Sequence, residues 1–263
     1  PMHIDVEAPA TVGQGGVLVA RVHANGPITT ITATAAGRAL RFVITGNDAT
    51  GVLGFRSDAP PATHVVNFQV TGPTGSTRGD ATVQIVPTNF PVEHIQVDEE
   101  GEVLLAPNVL NTEWQRLLGI IARVTPEPLW TGAWIRPVGS YITSLYGTRR
   151  SYNDGPPGSP HEGMDFGSAL GDTIVAANSG VVVVSDRWDV RGNAVVIDHG
   201  LGIYSGYYHM SQRLVEVGQA VAKGQAIGLV GATGLVTGPH LHWDMMAQGA
   251  HTDPLGWTQR TLP

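Results

Sequence analysis

A chain of 263 residues with 42% hydrophobic and 14% charged side chains is long enough for two domains with separate cores and describes a soluble globular protein. No apolar run approaches the ~20 residues of a membrane helix, and a formal net charge of −7 without a basic stripe excludes nucleic acid as a partner. With no cysteine in the chain, disulfides, thiol nucleophiles and thiolate ligands are excluded as well, so any metal must be held by His and carboxylate.

From His3 to about Pro87 the chain reads as short β segments separated by turn residues: HIDVEA, GVLVARVH, ITTITATA, RALRFVI, TGVLGFR, HVVNFQV and DATVQIV. Their period-two alternation and spacing predict an immunoglobulin-like sandwich over residues 1–98. His3, His23, His64 and His94 stand alone in apolar or Thr-rich stretches and are read as structural or surface residues. After the acidic VDEEGEV, Asn111 precedes TEWQRLLGIIARV, in which Trp114, Leu117, Leu118, Ile121 and Val124 fall at helical spacing. One capped amphipathic helix is expected there, ending before Pro126, with its apolar face packed between the domains. The Pro-rich PEPLWTGAWIRPVGS completes a linker over 99–134. From 135 to 263 β signals return (YITSLYG, TIVAANSGVVVVSD, NAVVIDHG, IYSGYYHMS, HLHWDMMA), broken by glycines, so the second domain is also predicted to be β.

Four histidines of this second half sit in three short phrases, PHEGMDFG, YYHMS and GPHLHWDM. His240 and His242 are two apart on a predicted strand, which sends both side chains to one face. His161 and Asp165 are four apart, but Gly163 and the preceding PPGSP argue against a helix, so a loop or bent strand has to bring them together. Two His and one carboxylate leave one position of a tetrahedral ion open, which distinguishes a catalytic site from a closed structural one. A single His–Asp pair is most often structural; the conjunction of three phrases is what raises the metal reading above that.

The order HxxxD, YYHMS, HxH resembles the zinc endopeptidases typified by lysostaphin and LytM. SLYGTRRSYNDG, DTIVAANSGVVV, GNAVVIDHGLGIYSGYYHMS, VEVGQAVAKGQAIGLVGATGLVTGPHLHW and TDPLGW carry the likeness over about residues 135–258. The resemblance implies the duplicated-hybrid-motif β-sheet fold for the second domain; it does not reach the N-terminal immunoglobulin-like sandwich, which with the one short linking helix rests on the residue pattern alone, and the whole is expected to be all-β. It implies one Zn2+ held by His161, Asp165 and His242, with His209 and His240 as the catalytic pair. It further implies a secreted, periplasmic or envelope protein that hydrolyses peptide cross-links or stem peptides of bacterial peptidoglycan. Secretion rests on the resemblance alone, since the residues from Pro1 onward lack the charged start and apolar centre of a signal peptide. Asp244 shares the face of His240 and His242 and is a candidate to orient a ligand, and Tyr152 and Asn153 are candidates to line the groove.

Three other readings compete. Non-haem iron oxygenases also use two His and a carboxylate, but leave His209 and His240 without a task. VEVGQAVAKGQAIG resembles the lysine hammerhead of biotinyl and lipoyl carriers, with Lys223 the only lysine; carriers, like the His-pair phosphocarriers of sugar transport, have no use for Asp165 at its spacing. The principal alternative is a non-hydrolytic wall-binding or regulatory module, with residues 100–160 covering the site.

Overall fold

Strict alternation of exposed and buried positions in Thr30–Ala35 and from Val65 to Val70 is what a strand with one face on a core requires. The computed structural model describes residues 1–263 and divides them into a first unit of Pro1–Asn89 with Leu262–Pro263 and a second of Phe90–Thr261.

The first unit has strands β1 (Ile4–Glu7), β2 (Thr11–Gly13), β3 (Val17–Ala24), β4 (Thr30–Ala35), β5 (Arg38–Ala39), β6 (Arg41–Thr45), β7 (Asp48–Gly54), β8 (Ala62–Gly72) and β9 (Gly75–Val86). They form a four-stranded sheet, β1-β3-β7-β6, and a five-stranded sheet, β2-β9-β8-β4-β5. Leu18, Val22 and Leu53 of one sheet share a buried cluster with Ile31, Phe68 and Val83 of the other. Lettered along the chain, the order is A-B-E-D against A′-G-F-C-C′, the strand partition of immunoglobulin-type sandwiches.

The second unit contains β10 (Val92–Ile95), α1 (Glu99–Leu104), α2 (Pro107–Ile121), β11 (Tyr141–Ser144), β12 (Arg149–Tyr152), β13 (Met164–Gly167), β14 (Thr173–Val175), β15 (Gly180–Trp188), β16 (Gly192–Gly200) and β17 (Ile203–Met210). It continues through β18 (Gln212–Arg213), β19 (Ala220–Val221), β20 (Ala226–Leu229), β21 (His240–Ala247), β22 (Ala250–Thr252) and α3 (Pro254–Thr258). Its main sheet runs β11-β13-β21-β17-β16-β15-β19 with β22 on β21; β14-β20-β18 and the parallel pair β10-β12 form smaller sheets. The division at Asn89 falls before the expected boundary at 98 because β10 hydrogen-bonds in register with β12, from Val92↔Arg149 to Ile95↔Tyr152.

The linking segment holds two helices rather than one. Asp98 caps α1 through Gly101 N at 2.9 Å, so the acidic stretch is itself helical. The second helix starts at Pro107, where proline's fixed φ suits the first turn and its missing N–H costs nothing; Asn111 lies inside it instead of capping it. Leu117 and Ile121 of α2 pack with Val184, Trp188, Ala194, Val196, Tyr204, Tyr208 and Met246. The apolar stripe therefore covers one face of the main sheet in its own unit. Lys223 gives its Nζ protons to the carbonyls of Thr131 at 2.7 Å and Ala133 at 3.1 Å, which ties it to backbone where a carrier lysine must project. No helix is long and apolar enough to cross a membrane.

Leu117 is completely buried, so Leu117→Ala leaves a cavity beneath α2. The expected loss is about 2–5 kcal/mol, measured as a shift of the urea midpoint with unchanged slope.

Candidate functional site

Strands β13 and β21 are antiparallel neighbours in which Asp165 faces His242 and Gly167 faces His240. Opposed residues share a face, so Asp165 and the HxH pair project to the same side of the sheet. His161 enters just ahead of β13, held by backbone bonds His161 N→Thr148 O at 2.8 Å and Gly147 N→His161 O at 2.8 Å. The expectation of a non-helical approach for HxxxD is met by this loop running into a strand.

His161 Nε2, Asp165 Oδ1 and His242 Nδ1 form a triangle with sides of 2.9, 3.1 and 2.8 Å. The opposite nitrogens are already engaged. His161 Nδ1 lies 3.0 Å from the Leu145 carbonyl oxygen and 3.4 Å from Ser144 Oγ, and His242 Nε2 lies 2.6 Å from Asp244 Oδ1. Carbonyl and carboxylate oxygens only accept, so His161 donates through Nδ1 and His242 through Nε2. Two imidazole lone pairs and a carboxylate oxygen are then turned on one point. Such a triangle needs a cation or a proton at its centre, and two N atoms and one O atom suit a borderline divalent ion. Ligand atoms on a tetrahedral ion at ~2.0–2.1 Å stand about 3.3 Å apart, a few tenths of an ångström wider than observed.

Electrostatics agree with this. Burial by itself raises the Asp165 carboxyl, but His161 and His242 more than reverse this and hold it well below the ordinary carboxylate range. Burial opposes charge on His242, yet Asp244 and Asp165 raise it from 6.5 to about 9, so a proton takes the central place when no cation does. His161 is lowered, chiefly by burial. Arg150, projecting from β12, donates Nη2–H to Asp165 Oδ2 and has its Nε 3.7 Å from Glu93. It fixes the oxygen that the triangle does not use, a role sequence reading missed because nothing local marks which of Arg149 and Arg150 turns inward.

His209 and His240 flank the triangle with ring centroids 4.8 Å apart. Each is tied by Nδ1 to a backbone carbonyl, His209 to Thr233 at 2.8 Å and His240 to Gly238 at 2.9 Å, so each Nε2 carries a lone pair. His240 Nε2 is 3.8 Å from Asp165 Oδ1. Burial pushes both imidazoles below their usual value, His209 far below, which keeps them neutral proton acceptors at pH 7. Strand alternation alone would send His209 to the face opposite Tyr208, the residue paired with His242. At φ +64° its backbone is left-handed, a conformation costly outside glycine and concentrated at functional sites, and the ring swings back to 6.0 Å from that of His242.

Beside Asp165 and His240 lies a cleft of about 260 Å³, walled by Glu93, Ile95 and Val97 on one side and residues 235–239 on the other, with Tyr141, Arg150 and Tyr152 in its lining. Tyr141, Thr143, Ser144, Arg150 and Tyr152 thus contribute one stretch of the chain to the lining of this cleft. Tyr152 lines it as expected. Asn153 instead grips the backbone N and O of Val97 at 2.9 and 3.2 Å and Glu102 at 2.7 Å. Gly163 packs so tightly that a Cβ there would lie 2.3 Å from Asp244 Oδ1 and 2.5 Å from His242 Nε2.

The model of peptidase family M23 matches residues 159–254. Peptidoglycan DD-endopeptidase ShyA of Vibrio cholerae is 42% identical over 108 residues, 41% of this chain and 25% of ShyA; ShyC of the same organism is 43% identical over 94 residues, 36% and 22% of the two chains. The chain therefore spans about a quarter of the length of the curated relatives it matches. A Pseudomonas aeruginosa crystal structure provisionally assigned to peptidase M23 superposes with a TM-score of 0.70 at 25% identity, covering 93% of this chain and 94% of that one.

Two outcomes follow from the triangle. Gly163→Ala pushes a methyl into the His242–Asp244 bond and should weaken divalent-ion binding about 10-fold or more, read by chelator competition. In the metal-free protein the proton on His242 is bound more tightly than in the unfolded chain. Its stabilisation is complete below pH 6.5 and disappears as pH rises through about 9; calorimetry in chelator should show Tm falling over that window, and saturation with the ion should abolish the fall.

Proposed function

We propose that this chain, whose residues 159–254 match the model of peptidase family M23, is a zinc-dependent endopeptidase that hydrolyses peptide cross-links or stem peptides of bacterial peptidoglycan outside the cytoplasm. The observation that carries the reading is the lone-pair triangle of His161, Asp165 and His242, whose remaining nitrogens are already donated to Leu145 and Asp244. The names of the Vibrio relatives, both peptidoglycan DD-endopeptidases, support the substrate class.

His161, Asp165 and His242 are the residues that would hold the ion. A bound Zn2+ supplies a Lewis acid that polarises a carbonyl and makes hydroxide available near pH ~7. The protein supplies the proton handling. His209 and His240, neutral and anchored through Nδ1, each present an Nε2 lone pair that takes the proton of the attacking water and returns it to the leaving amine. As an imidazolium, the same ring hydrogen-bonds the oxyanion of the tetrahedral intermediate. Arg150 keeps Asp165 oriented through Oδ2, so the carboxylate does not rotate as charge develops. The cleft beside Asp165 and His240 accepts an extended peptide, with the apolar Ile95, Val97 and Pro239 and the polar Thr143 and Thr237 along its walls. Its mixed lining offers both apolar and polar contacts to a peptide, and attraction to an anionic wall is not expected from a chain of net charge −7.

Incubation of the full chain with isolated peptidoglycan should release peptides with new amino termini, and a chelator should stop it; intact peptidoglycan in both arms would leave a non-hydrolytic binding module as the better reading. His161→Ala and His242→Ala should lose both stoichiometric zinc and hydrolysis. His209→Ala should keep zinc while kcat falls about 10²–10⁴-fold, and equal loss of metal would move His209 into the ligand set.

A further inference from the structure

Helix α2, Pro107–Ile121, lies outside the matched residues 159–254, yet two adjacent residues on it reach opposite sides of the site. The face of the main sheet that α2 covers is the face carrying Met246, Asp244 and His242 at alternate positions of β21, with Tyr204 and Tyr208 opposite Met246 and His242 on β17. Both contacts from the helix converge on this buried layer.

The first contact runs through Trp114. Its ring centroid lies 5.3 Å from that of His251, tilted by 33°. His251 is 1% exposed and its Nε2 is 3.1 Å from Asp244 Oδ2. Asp244, equally buried, accepts from His242 Nε2 through its other oxygen at 2.6 Å. A carboxylate has no proton to give, so it forces both imidazoles to donate through Nε2. His251 thereby holds the second oxygen, keeps the carboxylate in the plane that meets His242, and leaves His242 Nδ1 as the lone pair of the triangle.

The second contact runs through Glu113, which is 6% exposed. It accepts from Val190 N at 2.5 Å, Arg191 N at 3.3 Å and Arg191 Nη1 at 3.2 Å. The carbonyl of Arg191 in turn accepts the His209 N–H at 2.9 Å. His209 is the residue held at φ +64°, so this bond restrains the backbone conformation that turns its ring toward the site. The Arg191 guanidinium is itself packed 5.8 Å from the Trp188 ring and 5.3 Å from the Tyr208 ring.

We propose that Glu113 and Trp114 are positioning residues of the metal centre: Trp114, through His251 and Asp244, sets which nitrogen His242 turns to the ion, and Glu113, through Arg191, sets the backbone of His209. This rests on the zinc-site reading of His161, Asp165 and His242. It also makes a helix beyond the family match part of the catalytic apparatus.

The test uses the full chain and reads two quantities separately, the zinc dissociation constant by chelator competition and hydrogen exchange of the His209 amide in the zinc-free protein. Trp114→Ala and His251→Ala should each weaken zinc about 10–100-fold, with Trp114→Phe restoring most of the loss. Glu113→Ala should leave zinc affinity within about threefold, speed exchange at His209, and lower kcat at saturating zinc by about 10-fold up to the 10²-fold that a misplaced group can cost. Native zinc affinity in both Trp114→Ala and His251→Ala overturns the first half, and native exchange and kcat in Glu113→Ala overturn the second. Equal losses of affinity and Tm across all variants, with no rescue by Trp114→Phe, reduce the helix to a structural prop and overturn the whole. A native chain that binds no zinc, or binds it undiminished after His161→Ala, instead removes the zinc-site reading and the proposal with it.

Discussion

Three lone pairs facing one another at 2.8–3.1 Å in a buried place are the constraint around which the second unit is arranged. They repel unless a positive charge sits between them, and each is prevented from turning away. The Leu145 carbonyl holds His161, Arg150 holds Asp165, and Asp244 holds His242. The cross-strand register of β13 and β21 then places carboxylate and imidazole side by side without any loop to adjust. A site built on paired strands in this way loses little freedom on binding, because its geometry is a by-product of the ladder.

The same register explains what surrounds the triangle. Gly167 opposite His240 lets the Tyr141 and Thr143 side chains lie close against the strand at the cleft, whereas Gly163 on the buried side lets a backbone approach the His242–Asp244 bond more closely than any side chain would allow. His209 belongs to the neighbouring strand but not to its regular alternation, and its left-handed backbone lies where the register between β16 and β17 shifts, between the pairs Val195↔Tyr207 and Asn193↔Met210. Local strain of this kind persists only when the surroundings determine it. Here the bonds of Arg191 and Thr233 to His209 provide that restraint.

Charge in the buried layer is balanced over a wide circle. Arg150 pairs with Asp165 and approaches Glu93, and Arg191 pairs with Glu113 and lies near Glu162. Burial opposes the charge on each arginine, but Asp165, Tyr152 and Glu93 raise Arg150, and Tyr208, Asp244, Glu162 and Glu113 raise Arg191. Removing one member of such a network exposes another to an unpaired, low-dielectric environment, so the positions beyond the triangle are bound to it energetically. The strand β10 that lines the cleft and the helix α2 both come from residues ahead of the family match, within the unit that begins at Phe90.

Several features were legible without coordinates because they depend only on local periodicity and chemistry. Alternation marked the strands of both units, and HxH on a strand put His240 and His242 on one face. Absence of cysteine confined any metal to His and carboxylate, and the ordered phrases around His161, Asp165, His209 and His240–His242 singled out the residues that the fold brings together. The N-terminal limit of α2 was misread because Pro107 offers a start as good as the side-chain cap expected at Asn111. What only the tertiary structure decided is the set of partners separated by long stretches of chain: β10 beside β12, α2 on the sheet, Arg150 at the Asp165 carboxylate, and the reversal of His209. The physical reason is that residue type and spacing specify which faces a segment presents, whereas the choice among possible neighbours for those faces is made by packing and hydrogen bonding summed over the whole unit.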